Sequence, residues 1–504
     1  MTSAPELIVA LDCGTSSAKA VAWGDDGVAR GEGRSEIATD APAPGFAEQE
    51  PEDWWQASCR AIAACVETVG ASRVAALAIT FQRETFALLD AAGAPVRPAI
   101  LWHDGRATEE LAELQTHLDP AAYHRATGKQ LDITAAVAKL AWLSRHEPAT
   151  LARASRWVDV PAYLASRLTG RAATVACGVD TTGLVALASR SWRDGVVPEH
   201  LALPDILPRS GVVGRLNAAA ATACGLPAGT PVVVAGGDGH CFSVGARAAG
   251  GDRAAATLTL GTSAVLGIAS ARPLLDDAFR TLLACGDDGY LLESVIQCGS
   301  ATVSWFDDLF AASSGRSPAA WDRTCAEVPA GSRGLLVLPH WRGQRVPHND
   351  PLARGVVVGW TDAHDEAAFR RAILEGIALE VAQLLAVIQS AGAPPVSSLV
   401  VGGGGARADL WCQILADVLR VSVCRPSTVE SASLGAAICA RAVLSQIPLC
   451  DAMGTVQVAA DRFDPGPDAT VYARLKPVFA GLYAACREAN HALAEIISGR
   501  GDAH

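Results

Sequence analysis

Short runs of Val, Leu, Ile and Ala recur along the chain and are separated by longer, more polar segments. The runs at 7–12 and 18–23 have the length and composition of buried strands. The segment 51–69 begins with Pro and two acidic residues, which predicts a helix because the helix dipole favours acids in the first turn. Strands are also predicted at 74–81 and 85–90, on either side of a polar Gln-Arg-Glu break. This alternation is typical of an α/β domain.

The same mixture continues to the end of the chain. A helix is predicted at 158–170 and a strand at 231–239, and the small, glycine-rich segment 245–255 suits a hinge. Beyond this segment we predict a strand and three helices, at 399–403 and at 369–389, 408–419 and 468–497. The chain is therefore predicted to form two domains, 1–247 and 248–504.

The tripeptide Gly-Thr-Ser occurs twice between apolar runs, at 14–16 and 261–263. Glycine lets the backbone turn sharply, and the hydroxyls join a fan of exposed N–H groups, so each turn can bind a phosphate. Asp12 precedes the first turn, where a nucleotide's Mg²⁺ needs a carboxylate; a strand-end Asp that caps its own turn is the alternative. Lys19 lies in a predicted strand and forms no Walker A motif. Two such turns suggest a duplicated ATP clamp.

The composition of the 504-residue chain limits its class. Half of the residues are apolar, so large cores can form, and no apolar run is long enough to cross a bilayer. The first residues lack the features of a signal peptide, so we expect a cytoplasmic protein. The net charge of −12 argues against nucleic acid as a partner. The 14 cysteines include no C-x-x-C pair and are predicted to be buried, reduced thiols.

A glycine-rich stretch, a stretch of small residues and one acidic residue are each open to two interpretations. The stretch 402–407 joins a strand to a helix, but Arg407 occupies the last glycine of the dinucleotide fingerprint. It is either a tight connection or bare backbone against which an adenine lies. The small residues at 430–437 permit close packing to a ligand or to a neighbouring helix. Asp238 is placed to accept a hydroxyl proton during phosphoryl transfer, or else forms an Asx turn.

Polar residues interrupt apolar segments at two further places. Gln82, Arg83 and Glu84 separate two predicted strands, which is costly unless the charges are paired or engage a ligand. Their donors and acceptors suit the vicinal hydroxyls of a polyol or sugar, and a structural ion pair is the alternative. Trp102 and Asp104 follow a later strand. Trp102 either packs on a carbohydrate face or belongs to the core.

Taken together, these motifs resemble those of the FGGY carbohydrate kinases. The shared motifs occur in the family's order: DCGTSSAK, KLAWL, GGDG, LGTS, the stretch 338–359, AILEG and GGGGARADLW. The resemblance extends over residues 7–445. It implies the two-domain α/β ATPase fold shared with actin, hexokinase and Hsp70, with ATP and sugar in the cleft between the domains.

The resemblance also implies roles for individual residues. Asp12 would lie near Mg²⁺, and Asp238 would be the catalytic base. The ATP-binding residues would be Thr15, Ser16, Gly261, Thr262, Gly403, Gly404 and Ala406. The substrate-binding residues would be Gln82, Arg83, Glu84, Trp102, Asp104, Asp238, Gly239 and His240, although a lone histidine such as His240 is more typical of a structural residue. The N-terminal domain would hold the sugar site, and the C-terminal domain the adenosine site.

The substrate pocket resembles two branches of the family at once. LWHDGR and PHNDP are similar to xylulokinases, which typically have Met-His at Arg83-Glu84 and Asn at Gly239. Gln-Arg-Glu-Thr is similar to glycerol kinases, which use the Arg and Glu to grip glycerol and have a Trp at Trp102. Yet the tyrosine of glycerol kinases is Thr134 here, and the Gln after their base is again Gly239.

We therefore expect an ATP- and Mg²⁺-dependent kinase that phosphorylates a primary hydroxyl of a small sugar, with a xylulose-type ketopentose favoured. Glycerol or another short polyol is the alternative substrate. An actin-like or Hsp70-like ATP switch without sugar chemistry is the rival function. The expected partner is a small sugar or polyol, with neither nucleic acid nor membrane, and homodimer formation is left open.

Overall fold

Two central β-sheets, one in each half of the chain, organise the fold. The computed structural model describes residues 6–252, 254–286 and 289–498. The first sheet consists of β1 (Leu7–Cys13), β2 (Ser17–Trp23), β3 (Ala29–Glu36), β4 (Val74–Phe81), β5 (Gly211–Arg215) and β6 (Pro231–Gly237). The second sheet consists of β7 (Ala256–Leu260), β8 (Ala264–Ser270), β9 (Arg280–Leu283), β10 (Tyr290–Ile296), β11 (Ser398–Gly402), β12 (Ser422–Pro426) and β13 (Ala460–Phe463).

The two sheets share the same arrangement around their first strand. The first has the strand order β5-β6-β4-β1-β2-β3, and the second has the order β9-β10-β8-β7-β11-β12-β13. In each, the first strand pairs antiparallel with the next strand and parallel with a later one. The two Gly-Thr-Ser turns therefore occupy equivalent places. The first turn has four residues between the paired Cys13 and Ala18, and the second has three between Leu260 and Ala264.

Helices surround the two sheets. Their bounds are α1 (Pro51–Val69), α2 (Thr108–His117), α3 (Pro120–Thr127), α4 (Ala136–His146), α5 (Pro148–Arg153), α6 (Val160–Thr169), α7 (Ala176–Val179), α8 (Ala218–Cys224), α9 (Asp238–Ala249), α10 (Ser300–Ser314), α11 (Pro318–Ala326), α12 (Glu366–Ser390), α13 (Asp409–Leu419), α14 (Ser431–Ser445), α15 (Leu449–Met453) and α16 (Ala469–Ser498). Short strands form three two-stranded sheets and one four-stranded sheet: Glu48–Gln49, Phe86–Leu89, Ala99–Ile100, Arg156–Asp159, Ala173–Val175, Val185–Ala186, Ser191–Trp192, Asp205–Leu207, Leu336–Leu338 and Val356–Val358.

Helix α12 fills the core of the second domain. By its length and composition this helix could span a membrane, but 72% of its apolar segment is buried inside the protein. No other helix in the described ranges meets that test. The apolar face of α12 is covered because Ile373, Ile377 and Leu384 belong to the same core as the second sheet. Its hydrophobicity is therefore that of a core helix.

Helices α9 and α14 cross each other between the two domains, and each packs against the sheet of the other domain. In α14, Ser433 accepts a hydrogen bond from Trp23 Nε1 (2.8 Å) and donates to the Ala10 carbonyl oxygen (3.3 Å) of the first sheet. The backbones of the two helices are in close contact where they cross, since a Cβ at Gly245 would lie 2.0 Å from the Ser431 carbonyl oxygen. A Cβ at Gly435 would meet an α9 carbonyl oxygen at 1.8 Å. The small residues at 430–437 thus serve close helix packing.

Two sequence predictions change at this junction. The predicted strand 231–239 ends at Gly237, because α9 begins at Asp238. The predicted hinge at 245–255 is wrong in its first half, because α9 continues to Ala249. The predicted boundary between residues 247 and 248 falls inside this helix. The predicted helix at 158–170 begins at Val160, because Asp159 accepts the hydrogen bond of its N-cap.

Candidate active site

The first Gly-Thr-Ser turn is held by two residues predicted for the sugar site. Thr15 Oγ1 donates to Gln82 Oε1 (3.1 Å), and Trp102 Nε1 donates to Thr15 Oγ1 (3.0 Å). Gln82 Nε2 also donates to the Gly14 carbonyl oxygen (3.3 Å). Ser16 is exposed at the tip of the turn. Gln82 and Trp102 therefore lie where a phosphate turn and an acceptor pocket would meet.

The second turn rests on the start of α10 and on the glycine stretch after β11. Ser300 donates its backbone N–H to the Gly261 carbonyl oxygen (2.7 Å). Gly403 has φ +86°, and a Cβ there would lie 2.8 Å from the Leu260 carbonyl oxygen, so the site requires glycine. At Gly404 a Cβ would meet no atom within 4 Å. The backbone at Gly404 is therefore open to a ligand.

Ala406 does not belong to this open surface. It is 3% exposed, and its carbonyl oxygen accepts hydrogen bonds from Arg425 Nη1 (3.1 Å) and from the Cys412 thiol (3.3 Å). Its methyl group packs in the core beneath the glycine stretch. The predicted contact between Ala406 and ATP is therefore corrected, because the Ala406 side chain lies in the core and supports the glycine stretch from below.

A surface opening adjoins the second turn. It is lined by Thr262, Ser304, Trp305, Asp308 and Arg342, among others. Trp305 is 40% exposed, and its ring centroid lies 5.4 Å from that of Trp341. Because Thr262 belongs to the turn itself, this opening extends the possible phosphate site toward a flat aromatic surface.

Asp238 is the first residue of α9 and lies at the end of the central strand β6. Its side chain is 46% exposed, and its Oδ1 lies 3.0 Å from Arg83 Nε. The same oxygen accepts the backbone N–H of Gly239 (2.7 Å). A partly exposed carboxylate with a fixed orientation can accept a proton from a bound hydroxyl.

Asp12 provides a site that favours a cation. Its Oδ1 is buried and has no hydrogen-bond partner. Burial and the neighbouring carboxylates of Asp238 and Glu430 raise the pKa of Asp12 to about 7, against a smaller opposing effect of Lys19. Among the described residues, no group of three or more His, Cys, Asp or Glu side chains is arranged to hold a metal. A divalent ion here would therefore need phosphate oxygens or water as further ligands.

Arg83 and Glu84 form ion pairs with other residues, as the structural alternative considered from the sequence allows. Arg83 contacts Asp238, and its Nη1 also lies 3.1 Å from Glu293 Oε2, a residue of β10 in the second domain. Glu293 in turn accepts from Arg280 Nε (2.7 Å). Two guanidinium groups and two carboxylates thus join the domains at this point.

Glu84 lies deeper than Arg83 and is held through one carboxylate oxygen. Its Oε1 accepts hydrogen bonds from Arg280 Nη1 (2.8 Å) and Lys129 Nζ (3.4 Å) and lies 3.1 Å from Thr134 Oγ1. Burial alone would raise the pKa of Glu84, but the charges of Arg280 and Lys129 prevail and lower it. Its φ of +64° is uncommon for a residue with a side chain. The backbone here is therefore held in place by this network of charges.

Gly239 and His240 contribute to the site indirectly. A Cβ at Gly239 would lie 2.8 Å from Arg83 Nη2 and 3.0 Å from Glu293 Oε2, so the missing side chain leaves room for that ion pair. His240 is 2% exposed, and its Nε2 lies 3.7 Å from Asp180 Oδ2. The predicted contact of His240 with substrate is corrected to a buried position behind the site.

Asp104 is a structural residue of the loop that carries Trp102. It is fully buried, accepts the Ala47 backbone N–H (2.5 Å) and pairs with Arg106 Nη2 (2.8 Å). Its predicted role in substrate binding is therefore corrected. Lys139 supports the same loop, since its Nζ donates to the carbonyl oxygens of Leu101 (2.6 Å) and Trp102 (2.9 Å).

Sequence reasoning missed four charged residues of the site. They are Lys129, Lys139, Arg280 and Glu293. Two of them carry a usable signal, because Arg280 begins the otherwise apolar strand β9 and Glu293 interrupts the apolar strand β10. Lys139 belongs to the KLAWL motif, for which the sequence alone indicates no role. The predicted residues that the structure does bring together are Asp12, Thr15, Gln82, Arg83, Trp102 and Asp238.

Comparison with known proteins finds matches along most of the chain. Residues 7–245 match the N-terminal domain, and residues 256–443 the C-terminal domain, of the FGGY family of carbohydrate kinases. The chain is 30% identical to the xylulose kinase of Escherichia coli K12 over 82% of this chain and 84% of that protein. It is 31% identical to the glycerol kinase of Bordetella parapertussis over 93% of this chain and 95% of that protein.

A solved structure shows the same architecture. The xylulose kinase of Rhodospirillum rubrum superimposes with a TM-score of 0.87 at 28% identity, covering 96% of this chain and all of that one. The predicted two-domain α/β ATPase fold of the actin and hexokinase type is thereby confirmed. The family's enzymes use ATP as the phosphate donor, and this protein is an ATP-dependent carbohydrate kinase. The chain belongs to the FGGY family of carbohydrate kinases.

Proposed function

We propose that this kinase transfers the γ-phosphoryl group of ATP to a primary hydroxyl of a xylulose-type ketopentose. The observation that carries the proposal is Asp238, a carboxylate 46% exposed and oriented by Arg83 where the two domains meet. The similarity to xylulose kinases of Escherichia coli and Rhodospirillum rubrum supports the choice of substrate.

In this mechanism Asp238 accepts the proton of the attacking hydroxyl. Arg83 orients the carboxylate, and Gln82 and Trp102 fix the adjoining phosphate turn through Thr15. Asp12 would hold Mg²⁺, which when bound neutralises charge on the transferred phosphoryl group. The unpaired Oδ1 and raised pKa of Asp12 support this assignment.

The ATP site would extend across both turns. The backbone and hydroxyl groups of Thr15, Ser16, Gly261 and Thr262 would bind the phosphates, as exposed N–H groups in tight turns do. Beyond the second turn, the nucleotide would lie along Gly403 and Gly404, where the backbone at Gly404 is open. The exposed ring of Trp305 beside Thr262 offers a surface for the base.

The polar groups around the acceptor site support a pentose over glycerol. Glu84, which glycerol kinases use by resemblance to grip glycerol, is 5% exposed here, and its Oε1 already accepts from Arg280 and Lys129. A small pocket beside Arg280 and Glu293 is lined mainly by polar and charged groups, together with Phe279, Val295 and Val346. We infer that its donors and acceptors serve the further hydroxyls of a longer polyhydroxylated chain.

Glycerol or another short polyol is the second candidate. It is favoured by the Gln-Arg-Glu-Thr motif and by the 31% identity to the Bordetella parapertussis glycerol kinase. A coupled assay of ADP formation with xylulose, ribulose, glycerol, erythritol and gluconate tests the proposal. The highest kcat/KM with xylulose supports it, whereas the highest value with glycerol favours the polyol. No stimulation by any compound would favour an ATP switch.

We also propose a cytoplasmic enzyme whose partners are its small-molecule substrates. The buried, unpaired thiols among the described cysteines suit a reducing compartment. Homodimer formation stays a prediction, and light scattering after size-exclusion chromatography tests it.

A further inference from the structure

Arg83 lies between two carboxylates that come from different domains. Its Nε lies 3.0 Å from Asp238 Oδ1, and its Nη1 lies 3.1 Å from Glu293 Oε2. The Asp238 side chain is 46% exposed, whereas that of Glu293 is 1% exposed. The guanidinium is therefore shared between the proposed base and a carboxylate that is closed to solvent.

The residue after the base makes this sharing possible. A Cβ at Gly239 would lie 2.8 Å from Arg83 Nη2 and 3.0 Å from Glu293 Oε2. Gly239 lies in α9 and is not among the residues with positive φ, so its backbone does not require glycine. The glycine is needed for space, and the space is filled by the Arg83–Glu293 pair.

We propose that Glu293 is a positioning residue for Asp238 and that it acts through Arg83. The inference rests on the proposed function, in which Asp238 accepts the proton of the sugar hydroxyl. Glu293 binds one edge of the guanidinium, so Arg83 orients Asp238 through Nε and leaves the rest of the carboxylate free. Arg280, 2.7 Å from Glu293 Oε1, keeps Glu293 ionised and fixed.

The loss of Glu293 would change how Arg83 meets the base. A guanidinium with a single carboxylate partner favours two parallel hydrogen bonds to it. Asp238 would then have to give up part of a bidentate ion pair before it could accept the substrate's proton. One charge-assisted hydrogen bond retained in the ground state corresponds to a decrease in kcat of about 10- to 100-fold.

The test compares Glu293→Gln with the double variant Arg83→Met/Glu293→Gln. Gln keeps the shape of Glu293 but cannot neutralise Arg83, so we expect the decrease in kcat with little change in the KM for ATP. The double variant has no guanidinium to bind Asp238, and its total charge equals that of the wild type. We expect its kcat to exceed that of Glu293→Gln by at least about fivefold, while its KM for sugar rises above the wild-type value because Arg83 is lost.

Gly239→Ala provides a second variant that leaves every charge in place. Its methyl group would enter the space of Arg83 Nη2 and Glu293 Oε2, so kcat should fall while the unfolding temperature changes little. Asp25→Asn is the matched control, because it removes an ion pair to Arg441 (2.5 Å) from a carboxylate that is 77% exposed and outside the site. The control should retain the wild-type kcat.

The outcomes separate positioning from a purely structural role. If Glu293 merely stabilised the fold, the double variant would be at least as impaired as the single variant, and the proposal would be overturned. Wild-type kcat in both Glu293→Gln and Gly239→Ala would overturn it as well. An inactive wild-type protein in the substrate panel would remove the proposed function and this inference together, whereas an active wild type with no rescue removes the inference alone.

Discussion

At the scale of single residues, the proposed base Asp238 pairs with Arg83, whose charge is also balanced by a second carboxylate, Glu293. Arg83 touches Asp238 and Glu293 together, so Asp238 can be changed without leaving a buried guanidinium unpaired. A variant at position 238 can therefore change turnover without a large change in the free energy of unfolding.

Asp238→Asn is expected to lower kcat at least about 100-fold, because an amide cannot accept the hydroxyl proton. The affinity for ATP should stay close to that of the wild type, since the phosphate turns are unchanged. Coupled kinetics and calorimetric titration with ATP measure the two quantities separately. Near-normal turnover would exclude Asp238 as the base.

Lys139 is a second residue whose environment has a measurable consequence. It is fully buried in α4 and donates to the carbonyl oxygens of Leu101 and Trp102. Burial lowers the pKa of Lys139 to about 8 from an ordinary value of 10.5, against smaller opposing effects of Glu84 and Asp104. Below pH 8 the folded protein therefore carries the full cost of a buried ammonium group.

The sign of the pH dependence follows from this lowered pKa. Between about pH 8 and 10.5 the folded state holds fewer protons than the unfolded state, so Lys139 makes stability rise with pH. The contribution amounts to at most about 3 kcal/mol over that window. We expect Lys139→Met to lack this rise when urea unfolding of both proteins is measured from pH 7 to 10. Parallel pH profiles for the two proteins would contradict the assignment.

The residues of the site could be predicted better than their partners. The motifs indicated Arg83 and Glu84 as important, but Glu293 and Arg280 lie 210 and 196 residues away and are brought to them by the meeting of the domains. Asp104, one residue beyond an exposed histidine, points inward to Arg106. Side-chain direction within a loop depends on the backbone, which the sequence motif alone does not specify.

At the scale of elements, hydrophobic patterning predicted most boundaries. α1 and β4 occupy 51–69 and 74–81 as predicted, because their apolar faces and end signals are local. α9 was misjudged as strand end and hinge, since its small residues resemble a flexible linker in composition. Those small residues serve tertiary packing, which local patterning does not report.

The crossing of α9 and α14 gives an element-scale prediction. Gly435→Ala would place a Cβ 1.8 Å from the Cys241 carbonyl oxygen, so the helices must move apart. We expect a loss of about 1–3 kcal/mol in unfolding free energy, typical of overpacking, together with higher KM values for both substrates. Urea unfolding and steady-state kinetics measure these effects.

Gly481→Ala is the matched control, because a Cβ at this position in α16 would meet no atom within 4 Å. There the greater helix propensity of alanine should stabilise the protein by up to about 1 kcal/mol. Equal effects of the two substitutions would mean that the crossing does not depend on close backbone contact.

At the scale of the whole molecule, ion pairs join the domains around the site, in addition to the crossing helices. Among the described residues they include Arg83–Glu293, Glu84–Arg280, Asp132–Arg345 and Lys19–Glu430. The first two are largely buried, whereas Asp132 and Arg345 are about a quarter exposed. The duplicated sheets thus meet through charges as well as through helices, and the pair Asp132–Arg345 is within reach of solvent and salt.

Arg345→Gln should therefore weaken the contact between the two domains without unfolding either of them. Asp132 would still accept from Thr134 Oγ1 (2.6 Å) and contact Lys129 Nζ (3.5 Å), so no buried carboxylate is left alone. Because the pair is partly exposed, we expect a change in unfolding free energy below about 1 kcal/mol. At low salt the KM for sugar should rise and the radius of gyration from small-angle scattering should increase. At about 0.5 M salt, where such pairs are screened, the KM values of variant and wild type should converge. Equal KM values at low salt would show that the contact between the domains does not depend on this pair.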